Sequence, residues 1–204
     1  MGASTNRKSG PIWAMESELS LTSSRMFTWA EWPPLLDNAI MDEILYQHAR
    51  DFASQHQLEL RERLGFGIHG IVFLAESKLN AGKTAIKVHR SAEPYFRERA
   101  VYERLKSAEI WEILGFHVPQ LLRVDDNLLI IELSVVSRPF VLDFAGAYLD
   151  KLPDFPDDQW EAWEVEKREQ FENRWPEVRA VMGALEELDI HMVDVSPSNI
   201  AFLD

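Results

Sequence analysis

The chain changes its hydrophobic rhythm several times. Asn38 stands where a helix cap belongs, and Ile40, Met41, Ile44, Leu45, Ala49 and Phe52 then recur at helical spacing, which predicts a helix ending near residue 55. From Glu59 to Val88 the pattern becomes short apolar runs rich in β-branched residues, broken by Gly65, Gly67, Gly70 and the turn Asn80-Ala81-Gly82. That pattern predicts consecutive antiparallel strands. Helical spacing returns over 93–107, with Phe96, Ala100, Val101 and Leu105 on one side. Two further strands are expected at 118–124 and 128–133, joined by Asp125-Asp126-Asn127.

After Pro139 the chain is helical and acidic. Trp160, Trp163, Phe171 and Trp175 are spaced to line one helix face, and Pro176 suits the first turn of a second helix with the stripe Val178, Val181, Met182, Leu185 and Leu188. Residues 1–25 are rich in Ser, Thr, Gly and Asn without a period and read as a mobile arm. The expected organisation is therefore an arm over 1–25, a helical extension over 26–57, a strand-rich lobe over 58–135 and a helical lobe over 136–204.

Composition narrows the function classes. With 204 residues, 46% hydrophobic and 27% charged, the chain is an ordinary globular sequence of one domain, or one domain plus an arm. Its 34 acidic residues outweigh 21 basic ones, and a formal charge of -13 disfavours a nucleic-acid partner. The absence of cysteine removes disulfides, thiolate nucleophiles and Cys-rich zinc sites. No secretory pattern and no membrane-length apolar run is present, so the expectation is a cytoplasmic protein without a membrane partner. Met1-Gly2 is followed by Asn6 where a myristoylation motif needs Ser or Thr.

The chemistry centres on Leu64-Gly65-Phe66-Gly67-Ile68-His69-Gly70-Ile71-Val72, a G-x-G-x-x-G-x-V pattern. In a dinucleotide-binding unit the third glycine opens a helix; here it leads into the strand Ile71-Val72-Phe73-Leu74-Ala75. The turn at Asn80–Gly82 then returns the chain as Thr84-Ala85-Ile86-Lys87-Val88. Glycines in such a hairpin let backbone N–H groups approach phosphate oxygens without Cβ interference, and Lys87 on the adjacent strand supplies positive charge.

These residues resemble protein kinases and the related small-molecule kinases. The resemblance implies an α+β, protein-kinase-like fold: an antiparallel N-terminal sheet lobe with one helix, followed by a truncated helical C-terminal lobe. It implies ATP and magnesium as cofactors, with Leu64, Gly65, Gly67, Gly70, Val72, Ala85 and Lys87 around the nucleotide. Glu98 is the candidate partner of Lys87, since Glu98, Tyr102 and Leu105 fit the family's E-x-x-x-Y-x-x-L helix; Glu93 and Glu103 are alternatives. The strand containing Ile131, Glu132 and Ser134 resembles the one entering the kinase hinge, which implies Ile131 behind the adenine and backbone groups of Glu132 and Ser134 at the base edge.

Asp194-Val195-Ser196-Pro197-Ser198-Asn199 reproduces the family's D-x-x-x-x-N spacing. By resemblance Asp194 is the base that orients or deprotonates a hydroxyl, on a protein or a small molecule, and Asn199 is a metal ligand. Departures are clear: Met192 stands where a histidine is usual, with His191 one place early, Val193 replaces arginine and Ser196 replaces lysine. Kinases also continue past this asparagine to an Asp-Phe-Gly aspartate, whereas Asp204 lies five residues beyond Asn199. Asp143-Phe144-Ala145 is similar in letters, but it precedes Asp194 and so is set aside. The reading is an ATP-dependent phosphotransferase with an incomplete metal site; the alternative is an inactive, nucleotide-binding pseudokinase serving as a regulatory module, which exposed Trp160, Trp163 or Trp175 would favour.

Overall fold

A computed structural model describes residues 38–203, so the arm expected over 1–25, the start of the extension and Asp204 lie outside the described residues. The chain is mixed α+β. Helix α1 (Asn38–Gln55) precedes strands β1 (Leu58–Gly67), β2 (Gly70–Ser77) and β3 (Lys83–His89), followed by α2 (Ala92–Ser107). With β6 (Leu121–Asp125) and β7 (Ile130–Ser134), the long strands form one five-stranded antiparallel sheet in the order β1-β2-β3-β7-β6. The predicted hairpins are all present, and the last two strands begin two or three residues later than the apolar runs suggest.

Period-two alternation sends successive side chains to opposite faces of this sheet, and each face is covered by its own helix. Ile71, Phe73, Ala75, Ile86, Val88 and Ile130 pack with Leu45, Ala49, Phe52 and Ala53 of α1. On the other face Ile131 and Leu133 join Tyr95, Val101, Tyr102 and Leu105 of α2. The helix stripes are narrower than the sequence predicts: Ile40 and Ile44 of α1 and Phe96 of α2 are exposed.

The C-terminal part is not simply helical, which corrects the expectation. Helices α3 (Asp157–Phe171) and α4 (Trp175–Glu186) are accompanied by short strands β4 (Glu112–Ile113), β5 (Phe116–His117), β8 (Phe140–Val141), β9 (Ala147–Leu149), β10 (Ile190–Met192) and β11 (Ile200–Ala201). These form a four-stranded sheet, β11-β8-β5-β4, and a β10-β9 pair. Pro176 lies in the first turn of α4, as its fixed φ favours, and Val178, Val181, Met182 and Leu185 are buried.

Trp160, Trp163 and Trp175 pack against one another, whereas Trp111 is exposed. Phe155, Trp160, Trp163 and Trp175 form a run of aromatic contacts with centroid spacings of 5.4, 5.8 and 6.0 Å, and Phe171 stacks on Trp175. The Trp163 indole N–H donates to the Val193 carbonyl at 2.8 Å, so α3 is fastened to the segment that leads into Asp194. Among the described residues no helix is long and apolar enough to cross a membrane.

Candidate functional site

Lys87 sits on β3 opposite Val72 of β2 and Ile131 of β7, on the sheet face covered by α2. Its stem is buried and its ammonium meets two carboxylates: Glu98 at 2.7 Å and Asp143 Oδ1 at 2.7 Å. Glu98 is the predicted partner, and the alternatives fall away because Glu93 and Glu103 pair on the surface with Arg97 and Arg99. Burial alone would depress the Lys87 ammonium, but Glu98 and Asp143 outweigh it and hold its pKa above the ordinary value.

Glu98 is completely buried and has a second partner that the sequence reading missed. His89, two residues beyond Lys87 and therefore on the same face of β3, places Nε2 at 2.7 Å from Glu98 Oε2 and Nδ1 at 3.2 Å from the Leu129 carbonyl. One carboxylate is thus held from β3 at two points. The i, i+2 spacing of a second polar side chain on a buried strand face is the signal that identifies it.

Asp143 is the main correction. Chain order argues against it, yet two strand pairings bring it to Lys87: β8, just before it, lies antiparallel to β11, and β9, just after it, lies antiparallel to β10. The Leu142 N–H also donates to the Asn199 carbonyl at 2.7 Å. Asp143 adopts the left-handed region at φ 60, which aspartate tolerates better than most residues and which marks a site where backbone strain is retained. Burial would raise its carboxyl pKa, but the charge and hydrogen bond of Lys87 overcome this and hold it below the ordinary value. Phe144 is fully buried edge-on against Tyr102 of α2, anchoring the segment.

Asp194 faces the same space from the segment between β10 and β11. A Cβ on Gly146 would fall 2.7 Å from the Asp194 Cβ, so the two segments approach as closely as they do only because residue 146 has no side chain. Burial first, and the nearby charge of Asp143 second, raise the Asp194 carboxyl above its ordinary value. Asn199 folds back onto its own segment, with Oδ1 accepting from the Ser196 N–H at 2.7 Å and Nδ2 donating to the Asp194 carbonyl at 2.5 Å. An amide oxygen has two lone pairs, so one remains for another ligand.

The glycine turn brings His69 near this space. Gly67 and Gly70 end the β1–β2 ladder around Ile68-His69, and register irregularities between Leu60 and Gly65 bend the strand leading into it. The three glycines differ in what they serve. A Cβ on Gly70 would meet the Val88 carbonyl oxygen at 2.0 Å, so that glycine is required by sheet packing, whereas nothing lies within 4 Å of a Cβ on Gly67. His69 is half-buried, and burial lowers its ring below the ordinary value while Asp143, Lys87, Asp194 and Glu98 all act on it. Leu64 is exposed beside the turn, Val72 pairs with both Gly65 and Lys87, and Ala85 packs towards the α2 core.

The strand residues expected around a base, Ile131 behind it and Glu132 and Ser134 at its edge, lie on or at the end of β7 within the sheet. Ile131 is fully buried opposite Lys87. Glu132 is paired on both sides, to Ile86 and Arg123, and its carboxylate binds the Arg123 guanidinium. The Ser134 N–H donates to the Gln120 carbonyl at 3.0 Å, so Ser134 does not present that donor to a ligand. A separate groove lined by Glu103, Lys106 and Leu121–Val124 lies between α2 and β6 and contains none of Lys87, Glu98, Asp143 and Asp194. No protein-family model matches the chain and no curated protein aligns with it.

Proposed function

We propose that the protein is an ATP-dependent phosphotransferase whose magnesium aspartate is Asp143, supplied from a position earlier in the chain than the base Asp194. The observation that carries this reading is the double engagement of Lys87: its ammonium meets Glu98 at 2.7 Å and Asp143 at 2.7 Å, from a strand paired with the one that leaves the glycine turn. A lysine fixed by a helix glutamate, and an aspartate able to hold the metal, are the parts phosphoryl transfer needs for positioning and charge neutralisation.

The donor set fits magnesium. Asp143, Asp194 and the remaining lone pair of Asn199 are hard oxygens, and the repulsion from Asp143 that adds to burial in raising Asp194 is relieved by a divalent cation. Among the described residues no three acidic or histidine side chains form a metal site unaided. Phosphate oxygens of the nucleotide complete the shell in this reading, as magnesium commonly requires. When bound, the metal neutralises charge on the transferring phosphoryl group. This chain's own residues hold the phosphates (the glycine turn and Lys87), fix that lysine (Glu98 with His89) and accept the proton of an acceptor hydroxyl (Asp194).

The alternative, a nucleotide-binding module that transfers nothing, has one observation on its side: both polar atoms of the Asn199 carboxamide already have partners within the loop. Trp163 and Trp175 do not add to it, because they pack within the fold rather than standing out as interface anchors. Magnesium-dependent release or transfer of the γ-phosphate, measured for wild type, Asp143→Ala and Asp194→Ala, separates the two. Activity in wild type that both variants lose is expected; equal signals from all three sink the transferase reading.

A further inference from the structure

Arg90 follows β3 directly and touches two elements that are far apart in sequence. Its main-chain N–H donates to the His69 carbonyl at 2.9 Å, its Nε lies 3.5 Å from the Gly67 carbonyl, and its guanidinium stands 5.1 Å from the centre of the Phe66 ring. These three contacts all fall on the glycine turn. The fourth runs the other way: Nη2 lies 2.7 Å from Asp42 Oδ1 on α1. Both side chains are partly shielded, at 19% and 30% exposure, so water screens this pair less than an open surface bridge.

The two ends of the contact differ in stiffness. Helix α1 is held to the sheet by Leu45, Ala49, Phe52 and Ala53, and His48 Nδ1 lies 3.1 Å from the Leu128 carbonyl. Asp42 precedes Leu45 and Ala49 by three and seven residues, on the side of the helix that is fastened down. Beyond its ladder pairs the turn has little packing of its own: nothing lies near a Cβ built on Gly67, and Phe66 and Ile68 are exposed. A soft segment that must order around a ligand weakens binding, and holding it in place beforehand removes that cost.

We infer that Arg90 is a positioning residue for the glycine turn, and that α1, through Asp42, limits how far the turn opens. Any displacement of α1 then loosens the turn although α1 itself does not meet the ligand. The effect on nucleotide affinity rests on the reading given under Proposed function; the mechanical link between α1 and the turn does not.

The full chain serves for the test, with Arg90→Met, Asp42→Asn and the conservative Arg90→Lys. Amide hydrogen exchange at residues 66–69 is expected to quicken on the order of tenfold in the first two variants and much less in Arg90→Lys, with core amides of β3 and α2 unchanged. The dissociation constant for ATP is expected to rise about fivefold in the same two variants while that for adenosine stays constant, because the turn meets phosphates and not the base. Unchanged exchange in Arg90→Met overturns the inference, and unchanged exchange in Asp42→Asn alone removes α1 from it. Faster exchange with equal ATP affinity overturns the functional half. A wild type that binds no ATP defeats the phosphotransferase reading, and exchange then decides the link by itself.

Discussion

Asp143 Oδ1 lies 2.7 Å from the Lys87 ammonium, although the two residues are 56 positions apart and Asp143 comes before the segment that contains Asp194. The contact is produced by the β8–β11 and β9–β10 pairings, which fold an early segment against a late one. Replacing Asp143 with Asn keeps the shape and removes the charge. Magnesium-dependent turnover of ATP is expected to fall at least about 100-fold, the usual scale for losing one charge-stabilising group at a reacting phosphate or oxyanion. Steady-state kinetics with a magnesium titration check this, and turnover within threefold of wild type would remove Asp143 from the proposed metal site.

The two aspartates respond to acid in opposite senses. Asp194 is raised by burial and then by Asp143, so its ionisation costs folded stability as pH rises above 3.8, and the cost is absent in acid. Asp143 is held low by Lys87 against the effect of burial, so it contributes stability above 3.8 that is lost as pH falls through its folded value. Asp194→Asn is expected to raise Tm by about 3 °C at pH 7 and to leave it unchanged at pH 3, while Asp143→Asn lowers Tm at pH 7 by a similar amount that shrinks in acid. Thermal melts across that range check both signs.

Glycine substitutions separate packing from ligand approach. Gly70→Ala drives a methyl into the Val88 carbonyl and is expected to destabilise by about 3 kcal/mol or more, since backbone must move. Gly146→Ala pushes against the Asp194 Cβ and is expected to cost about 1–3 kcal/mol and to displace Asp194. Gly67→Ala meets nothing in the fold and should melt within 2 °C of wild type, yet bind ATP about tenfold more weakly. Urea unfolding and calorimetric titration distinguish the three; a strongly destabilised Gly67→Ala would contradict the open position of that residue.

Glu98 is buried between Lys87 and His89, so truncating it leaves a buried ammonium with Asp143 alone. Glu98→Ala is expected to destabilise by about 3 kcal/mol, and His89→Ala by about 1–2 kcal/mol through the lost charge-assisted bond. Denaturant midpoints of the single and double variants check the coupling. Additive losses would show that His89 does not act through Glu98.

Much of the fold is legible in the sequence because its signals are local. The β-branched runs and their turns mark β1 to β3, and the E-x-x-x-Y-x-x-L spacing selects Glu98 over its neighbours, since Glu98, Tyr102 and Leu105 share the buried face of α2. Phe96 misleads because a helical stripe read from periodicity alone does not reveal how wide the covered face is. Asp143 is missed for a different reason. Its placement depends on two-residue and three-residue strands, too short to leave a periodic trace, and on an order of segments that argues against it. The bond of the Ser134 N–H is equally hidden, because no local pattern tells which carbonyl, here that of Gln120, takes it.

The pairing of β8 with β11 also bears on how the protein is made. Lys87, Glu98 and Asp143 leave the ribosome well before Asp194, and β5 is then in place to meet one edge of β8 while the other edge waits for β11. An open strand edge on a nascent chain invites pairing with other chains. The same crossing of early and late segments that assembles the site therefore exposes the growing polypeptide to aggregation until β11 arrives.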